Sequence, residues 1–147
     1  MQPSPQALAQ TGPVIQVRIE LPAALSESLR LAGQLIPNPV DGIALIDTGA
    51  TITSIHAPIL VTLGINPVGV ATVGTAGGPQ QQSTYPVRLS FPGTPLPGFE
   101  LPQAIGCDLT GQVVLGQRPL VGLIGRDVLS QAVLVYNGSA GMFSLSF

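Results

Sequence analysis

Asp47 is placed where a carboxylate has no ordinary structural use. It follows four apolar residues, Ile43-Ala44-Leu45-Ile46, and precedes Thr48-Gly49-Ala50. A carboxylate delivered by an apolar strand is costly unless it is paired, hydrogen-bonded or protonated. Thr48 supplies a hydroxyl, and Gly49 permits a tight turn in which backbone N–H groups approach the carboxylate. Such a setting holds an aspartate ready for proton transfer. The plainer alternative is an aspartate that only shapes a turn, a common use of this residue.

Two further segments add context. Val121-Gly122-Leu123-Ile124-Gly125-Arg126-Asp127 again runs an apolar stretch into a glycine, with Leu123-Ile124-Gly125 standing where Leu45-Ile46-Asp47 stood, as in the halves of a pseudo-symmetric core. Between the two lies a glycine-rich tip, Val73, Gly74, Thr75, Ala76, Gly77 and Gly78, flanked on both sides by strand-like sequence.

The order Asp-Thr-Gly-Ala, glycine-rich hairpin, then apolar-apolar-Gly-Arg-Asp resembles the retroviral-type aspartic proteases, the retropepsins and their cellular relatives, over residues 14–147. The resemblance implies an all-β fold: a closed barrel with a flap hairpin and one or two short helices, built as an obligate homodimer. It makes Asp47 the catalytic aspartate, with Thr48, Gly49 and Ala50 supporting the active-site loop. The Thr48 hydroxyl would lock the two loops of the dimer together, and Gly49 would face the substrate backbone. Val73, Gly74, Thr75, Ala76, Gly77 and Gly78 would form the flap. Leu123 and Ile124 would lead into Gly125, Arg126 and Asp127, which open a short helix behind the site. Val73, Ala76, Leu123 and Ile124 are candidate subsite walls. The strands at residues 14–21 and 142–147 are where such proteins interleave with a partner.

The implied activity is that of an aspartic endopeptidase, in which Asp47 of each subunit shares in general acid/base activation of water. It needs no cofactor and no metal. Its partners would be a second copy and an extended peptide or protein substrate. The alternative is a peptide-binding or dimerisation module of the same fold, weakly catalytic or not catalytic at all. One position departs from the retroviral pattern: Thr51 stands where an acidic partner of the later arginine is usual. Arg126 is left to find another, among Asp127, Asp108 and a backbone carbonyl.

A chain of 147 residues carries one domain by prior and is too short for two aspartate-bearing lobes. It has a single Asp-Thr-Gly, because Asp41, Asp108 and Asp127 lack a following Thr/Ser-Gly. A second carboxylate must therefore come from another copy. Charged residues make up only 8% and hydrophobic residues 45%, an apolar excess that a subunit interface would absorb. The net charge is −2 and the five arginines are scattered, so no basic stripe for nucleic acid forms. With no lysine, P-loop and Schiff-base chemistry are excluded.

His56 is the only histidine and Cys107 the only cysteine. A metal site needs three or four ligands, and a Ser-His-Asp triad through Ser54 or Ser130 lacks its usual glycine setting. A turn or surface histidine and a small partly buried cysteine are the expected roles. No apolar run is long enough to span a membrane, and the first residues lack the basic start and apolar stretch of a signal peptide. Residues 1–13 read as a flexible tail, followed by the protease-like domain at 14–147.

The elements that must position Asp47 follow from periodicity. Residues 14–21 alternate as a half-buried strand, and 23–39 hold a short helix or excursion cut off by Gly33, Pro37 and Pro39. Residues 40–46 form the strand that delivers Asp47, 53–55 a brief strand, and 58–63 one or two helical turns. Strands at 68–73 and 83–91 flank the glycine tip. Further strands are expected at 99–105, 112–115, 120–124, 133–136 and 142–147, with a short helix at 126–132 and a turn at Asn137-Gly138.

Overall fold

The alternation at residues 14–20 does what period two dictates: Val17 and Ile19 are buried while Gln16 is exposed. This strand, β1 (Val14–Glu20), opens a β-rich structure, seen in a computed structural model that describes residues 4–114 and 118–147. After helix α2 (Ala23–Leu31) come β2 (Val40–Ile46), β3 (Ser54–His56), α3 (Ala57–Thr62), β4 (Gly69–Thr75), β5 (Gly78–Ser90) and β6 (Phe99–Cys107). The chain continues through β7 (Val113–Val114), β8 (Arg118–Ile124), α4 (Arg126–Leu129), β9 (Val133–Asn137) and β10 (Met142–Ser146). The strand expected at 112–115 appears as β7, and Leu115 lies outside the described residues.

Six strands close into a barrel in the order β1-β2-β8-β3-β6-β5, with β5 returning to β1. Closure comes from Arg18, Ile19 and Glu20 pairing with Ser90, Leu89 and Arg88. Two of the contacts are parallel, β2 with β8 and β3 with β6, and the rest of the ring is antiparallel. Inward-facing Val17, Ile19, Ile55, Val87, Leu89 and Ile124 fill the interior, and α3 and α4 seal it with Leu60 and Val128. Burying each such side chain contributes about 1.5–3 kcal/mol. An all-β barrel with few short helices is thus present.

The glycine tip is narrower than its sequence indicates. β4 and β5 pair from Gly69↔Thr84 up to Thr75↔Gly78, so only Ala76 and Gly77 turn the chain, with Gly78 at φ +106. β5 serves two purposes: its first half belongs to this projecting hairpin and its second half to the barrel. The change falls at Pro86, which lacks an N–H for the ladder, and the register with β6 shifts between Tyr85 and Val87.

Two findings depart from expectation. Where a tail was expected, residues Pro5–Thr11 form helix α1, capped by Ser4, whose Oγ accepts the Ala7 N–H at 3.0 Å. Leu8 is buried, and Ser4 and Pro5 pass so close to Gly141 that any Cβ there would strike their backbone. Pro13 then accepts the Ile46 N–H at 2.9 Å, tying this segment to the end of β2. The second departure concerns the edges. β1 pairs with β2 from Val14 to Ile19, and its end, Arg18 to Glu20, is also paired with β5 in closing the barrel. β9 and β10 form a separate two-stranded sheet in which Asn137 is the last strand residue, paired with Met142, and residues 138–141 make the turn rather than Asn137 and Gly138. Leu134, Phe143 and Leu145 pack on the core, whereas Val133, Val135 and Met142 are exposed. Phe147 stacks against Phe99, ring centroids 5.0 Å apart.

Candidate functional site

The parallel pairing of β2 with β8 puts Leu45 beside Leu123 and Ile46 beside Ile124, as two copies of one local pattern should lie. The ladder runs one residue further: the Asp47 N–H donates to the Ile124 carbonyl at 2.9 Å. Asp47 is thereby fixed where the strand ends and the chain must turn. Its carbonyl accepts from Ala50 at 3.2 Å, and its Oδ1 accepts the Gly49 N–H at 3.0 Å. A Cβ on Gly49 would sit 3.2 Å from that same oxygen, so glycine gives the carboxylate room while donating to it. Asp47 remains partly exposed, with Thr48 and Gly49 exposed beside it.

The rest of the loop is stapled to the start of α4. Arg126 donates its backbone N–H to the Ala50 carbonyl at 2.9 Å, and Asp127 donates its own to the Thr51 carbonyl at 3.2 Å. Thr53, fully buried, donates its N–H to both carboxylate oxygens of Asp127 at 3.1 Å and its hydroxyl to Oδ1 at 2.7 Å. The Thr53 oxygen in turn accepts the Gly125 N–H at 3.0 Å. A half-buried carboxylate satisfied in this way by a fully buried threonine is a firm fastening. The Arg126 guanidinium donates to the Thr48 carbonyl at 2.8 Å and to Thr51 Oγ1 at 3.1 Å. Of the partners open to it in the sequence, Asp127 is occupied by Thr53 and Asp108 by Thr110, and a backbone carbonyl is what it meets.

Above Asp47 the β4–β5 hairpin roofs a cleft of about 520 Å³. Its floor and loop wall are Asp47, Gly49, Ala50, Thr51, Ile52 and Ser54, with Ile105 and Leu123 behind, and Ala71, Thr72, Val73 and Gly74 of β4 close it from the other side. Val73, Gly74 and Leu123 therefore meet Asp47 across one cavity. Ala76 does not line it, lying with Gly77 in the exposed turn that follows Thr75, and Ile124 is fully buried in the barrel core because its side chain points to the opposite face from Leu123. Ile52, Ser54, Ala71, Thr72 and Ile105 were not singled out as wall residues. Only Ile52 and Ser54 carried a signal, being close in sequence to Asp47; Ala71, Thr72 and Ile105 arrive through strand pairing.

Among the described residues Glu20, Glu27, Asp41 and Glu100 are engaged in ion pairs with Arg18, Arg30 and Arg88, whereas Asp47 is not. His56 uses Nδ1 to accept the Leu109 N–H at 3.0 Å, a structural duty. Burial pushes the Cys107 thiol above its ordinary pKa, against the opposing effect of the Ser54 hydroxyl, so the thiolate a nucleophile requires is disfavoured. Among the described residues no group of three or more His, Cys, Asp and Glu could hold a metal ion, and no helix is long and apolar enough to cross a membrane.

No family model and no curated protein matches this chain. The functional argument therefore rests on the cleft itself. It offers one carboxylate held by a backbone N–H, walls of small and apolar side chains, and an edge strand overhead. Such a carboxylate can accept or donate a proton, and an edge strand can pair with an extended chain.

Proposed function

We propose that this protein is an aspartic endopeptidase of retropepsin type, active as a homodimer in which Asp47 of each subunit meets its counterpart at a two-fold axis. The observation that carries this reading is Asp47 itself, oriented by the Gly49 N–H on the floor of a roofed cleft whose walls, among the described residues, hold no second carboxylate. One carboxylate cannot serve as base and acid at once, so a second copy completes the site.

Two carboxylates in contact share one proton. The ionised one removes a proton from water as the water oxygen attacks the peptide carbonyl carbon, and the protonated one gives its proton to the carbonyl oxygen. The tetrahedral diol then collapses: the C–N bond breaks, the leaving nitrogen takes a proton from the dyad, and a diol hydroxyl returns one. The pair ends with the single proton it began with. β4 would hydrogen-bond the extended substrate and exclude water. The dimer would form through the β9–β10 sheet, which keeps exposed Val133, Val135 and Met142, while exposed Thr48 is available to the facing loop.

A second reading is favoured by one feature. β4 ends the strand order, and an edge strand over a cleft can bind extended peptide without cutting it. Asp47→Asn separates the two. It keeps the shape of the loop and removes the base, so a protease loses about 10²–10⁴-fold in kcat while peptide binding persists. A wild type that binds peptides as the variant does and cuts none is a binding module.

A further inference from the structure

We infer that α2 and the turn after it form a self-association surface, in which Leu31 and Leu35 of one copy enter the groove between α2 and the barrel of another. The inference does not depend on the protease reading. β2 starts at Val40, shortly after α2, and ends at Ile46, so this surface lies roughly 20 Å from Asp47, at the far end of the strand.

A short helix is ordinarily held by burying an apolar face. α2 has no buried residue, and Leu29 alone packs in part on the core. It is held by its ends instead. At the start the Ala23 N–H donates to Glu100 Oε1 at 3.2 Å. At the finish Gly33, at φ +69, donates to the Arg30 carbonyl at 3.1 Å and Gln34 donates to the Leu29 carbonyl at 2.9 Å, which closes the helix as a Schellman motif. The side chains around this closure are thereby presented on fixed backbone. Leu31 is 72% exposed and Leu35 95%, and no residue from Leu31 to Val40 is ionisable. Two projecting leucines on a braced, uncharged turn mark a contact surface.

The groove they enter is immediately beside them. It measures about 280 Å³ and is lined by Leu21, Ala23, Ser26 and Ile36 together with the ion pairs Glu20–Arg88 and Glu27–Arg30. Arg30 precedes Leu31 and Ile36 follows Leu35, so knob and hole adjoin on one face. That adjacency is what a two-fold contact requires: each copy gives its leucines to the other's groove and takes the other's in return. A lipid surface would use the leucines and leave the groove idle. The four charges are already paired, so closing the groove strands none of them. A helix and turn doubled by a two-fold bury about 1,000 Å², the low end for a specific interface, so the association is weak and reversible.

Sedimentation velocity up to about 100 μM, a range suited to an interface of this size, tests the contact. Wild type should gain mass with concentration and reach twice the mass of Leu35→Glu, a change at a fully exposed position that removes this contact and no other. The dissociation constant should rise about a hundredfold, since one leucine on each side is lost. Ser26→Phe fills the groove, leaves the leucines in place, and should weaken the step likewise. Mixing the two variants shows whether knob meets hole: a mixed pair keeps one leucine facing one open groove, so it should associate more tightly than either variant alone. Equal mass for wild type and both variants overturns the inference. So does a mixture that associates no better than its components, or a wild type that stays at the variants' mass yet binds phosphatidylcholine vesicles through Leu35.

Discussion

Both carboxylate oxygens of Asp127 lie 3.1 Å from the backbone nitrogen of Thr53, and the Thr53 hydroxyl donates to one of them at 2.7 Å. Asp127 stands in the first turn of α4 and Thr53 just ahead of β3, so this contact joins the chain after Asp47 to the chain after its structural counterpart. The cleft wall inherits its rigidity from this pair rather than from the loop's own sequence.

Thr53→Val keeps the shape of the side chain and deletes its hydroxyl. The Gly125 N–H then loses its acceptor, and one Asp127 interaction is lost in a buried place. Leaving such groups unsatisfied costs about 2 kcal/mol. Urea denaturation should show a lower midpoint with an unchanged slope. An unaltered midpoint would mean that water replaces the hydroxyl and that the fastening is unimportant.

Gly125→Ala tests the same wall sterically. The added Cβ would lie 2.7 Å from the Ile52 carbonyl carbon and 2.9 Å from the Thr53 nitrogen, both backbone atoms. Overpacking of this kind costs about 1–3 kcal/mol, and the shift passes directly to Ile52. Peptide affinity should fall more than it does for Thr53→Val. Affinity equal to wild type would show that the wall tolerates displacement.

Helix α1 braces the molecule at two places, Ser4 and Pro5 against Gly141 and Pro13 against Ile46. Leu8 is its buried anchor. Leu8→Ala should cost about 2–3 kcal/mol if the helix folds as part of the domain. Thermal unfolding indistinguishable from wild type would mean that the segment contributes nothing to stability.

Activity against pH should trace a bell on the acidic side. With both carboxylates protonated no base remains, and with both ionised no acid remains. Rates that keep rising into alkaline pH would point to another catalyst.

Much of the site could be read from residue order. Leu45-Ile46 and Leu123-Ile124 match in sequence because they pair side by side in space, and the apolar run before Asp47 marks a strand buried on both faces. The fastening of Thr53 by Asp127 could not be read, because a hydroxyl and a carboxylate so far apart in the chain carry no local pattern that links them. The length of the β4–β5 ladder was hidden by glycine and glutamine, whose low β-propensity is overridden by pairing of Val73, Thr72 and Ala71 with Gln80, Gln81 and Gln82. Helix α1 escaped for a similar reason. Its few apolar residues show no periodic face, and the approach of Gly141 to Ser4 and Pro5 joins segments at opposite ends of the chain.

Subunit mixing separates a shared dyad from a single catalytic aspartate. Wild type is incubated with increasing Asp47→Asn long enough for subunits to exchange, at a concentration where dimers prevail, and cleavage of a peptide is followed. A site built from two Asp47 side chains predicts that equal amounts leave about half the activity, since random pairing puts half the wild-type subunits into mixed dimers with one carboxylate. Activity should approach zero at large excess. Cleavage that no excess of the variant diminishes would contradict a site completed by a second copy.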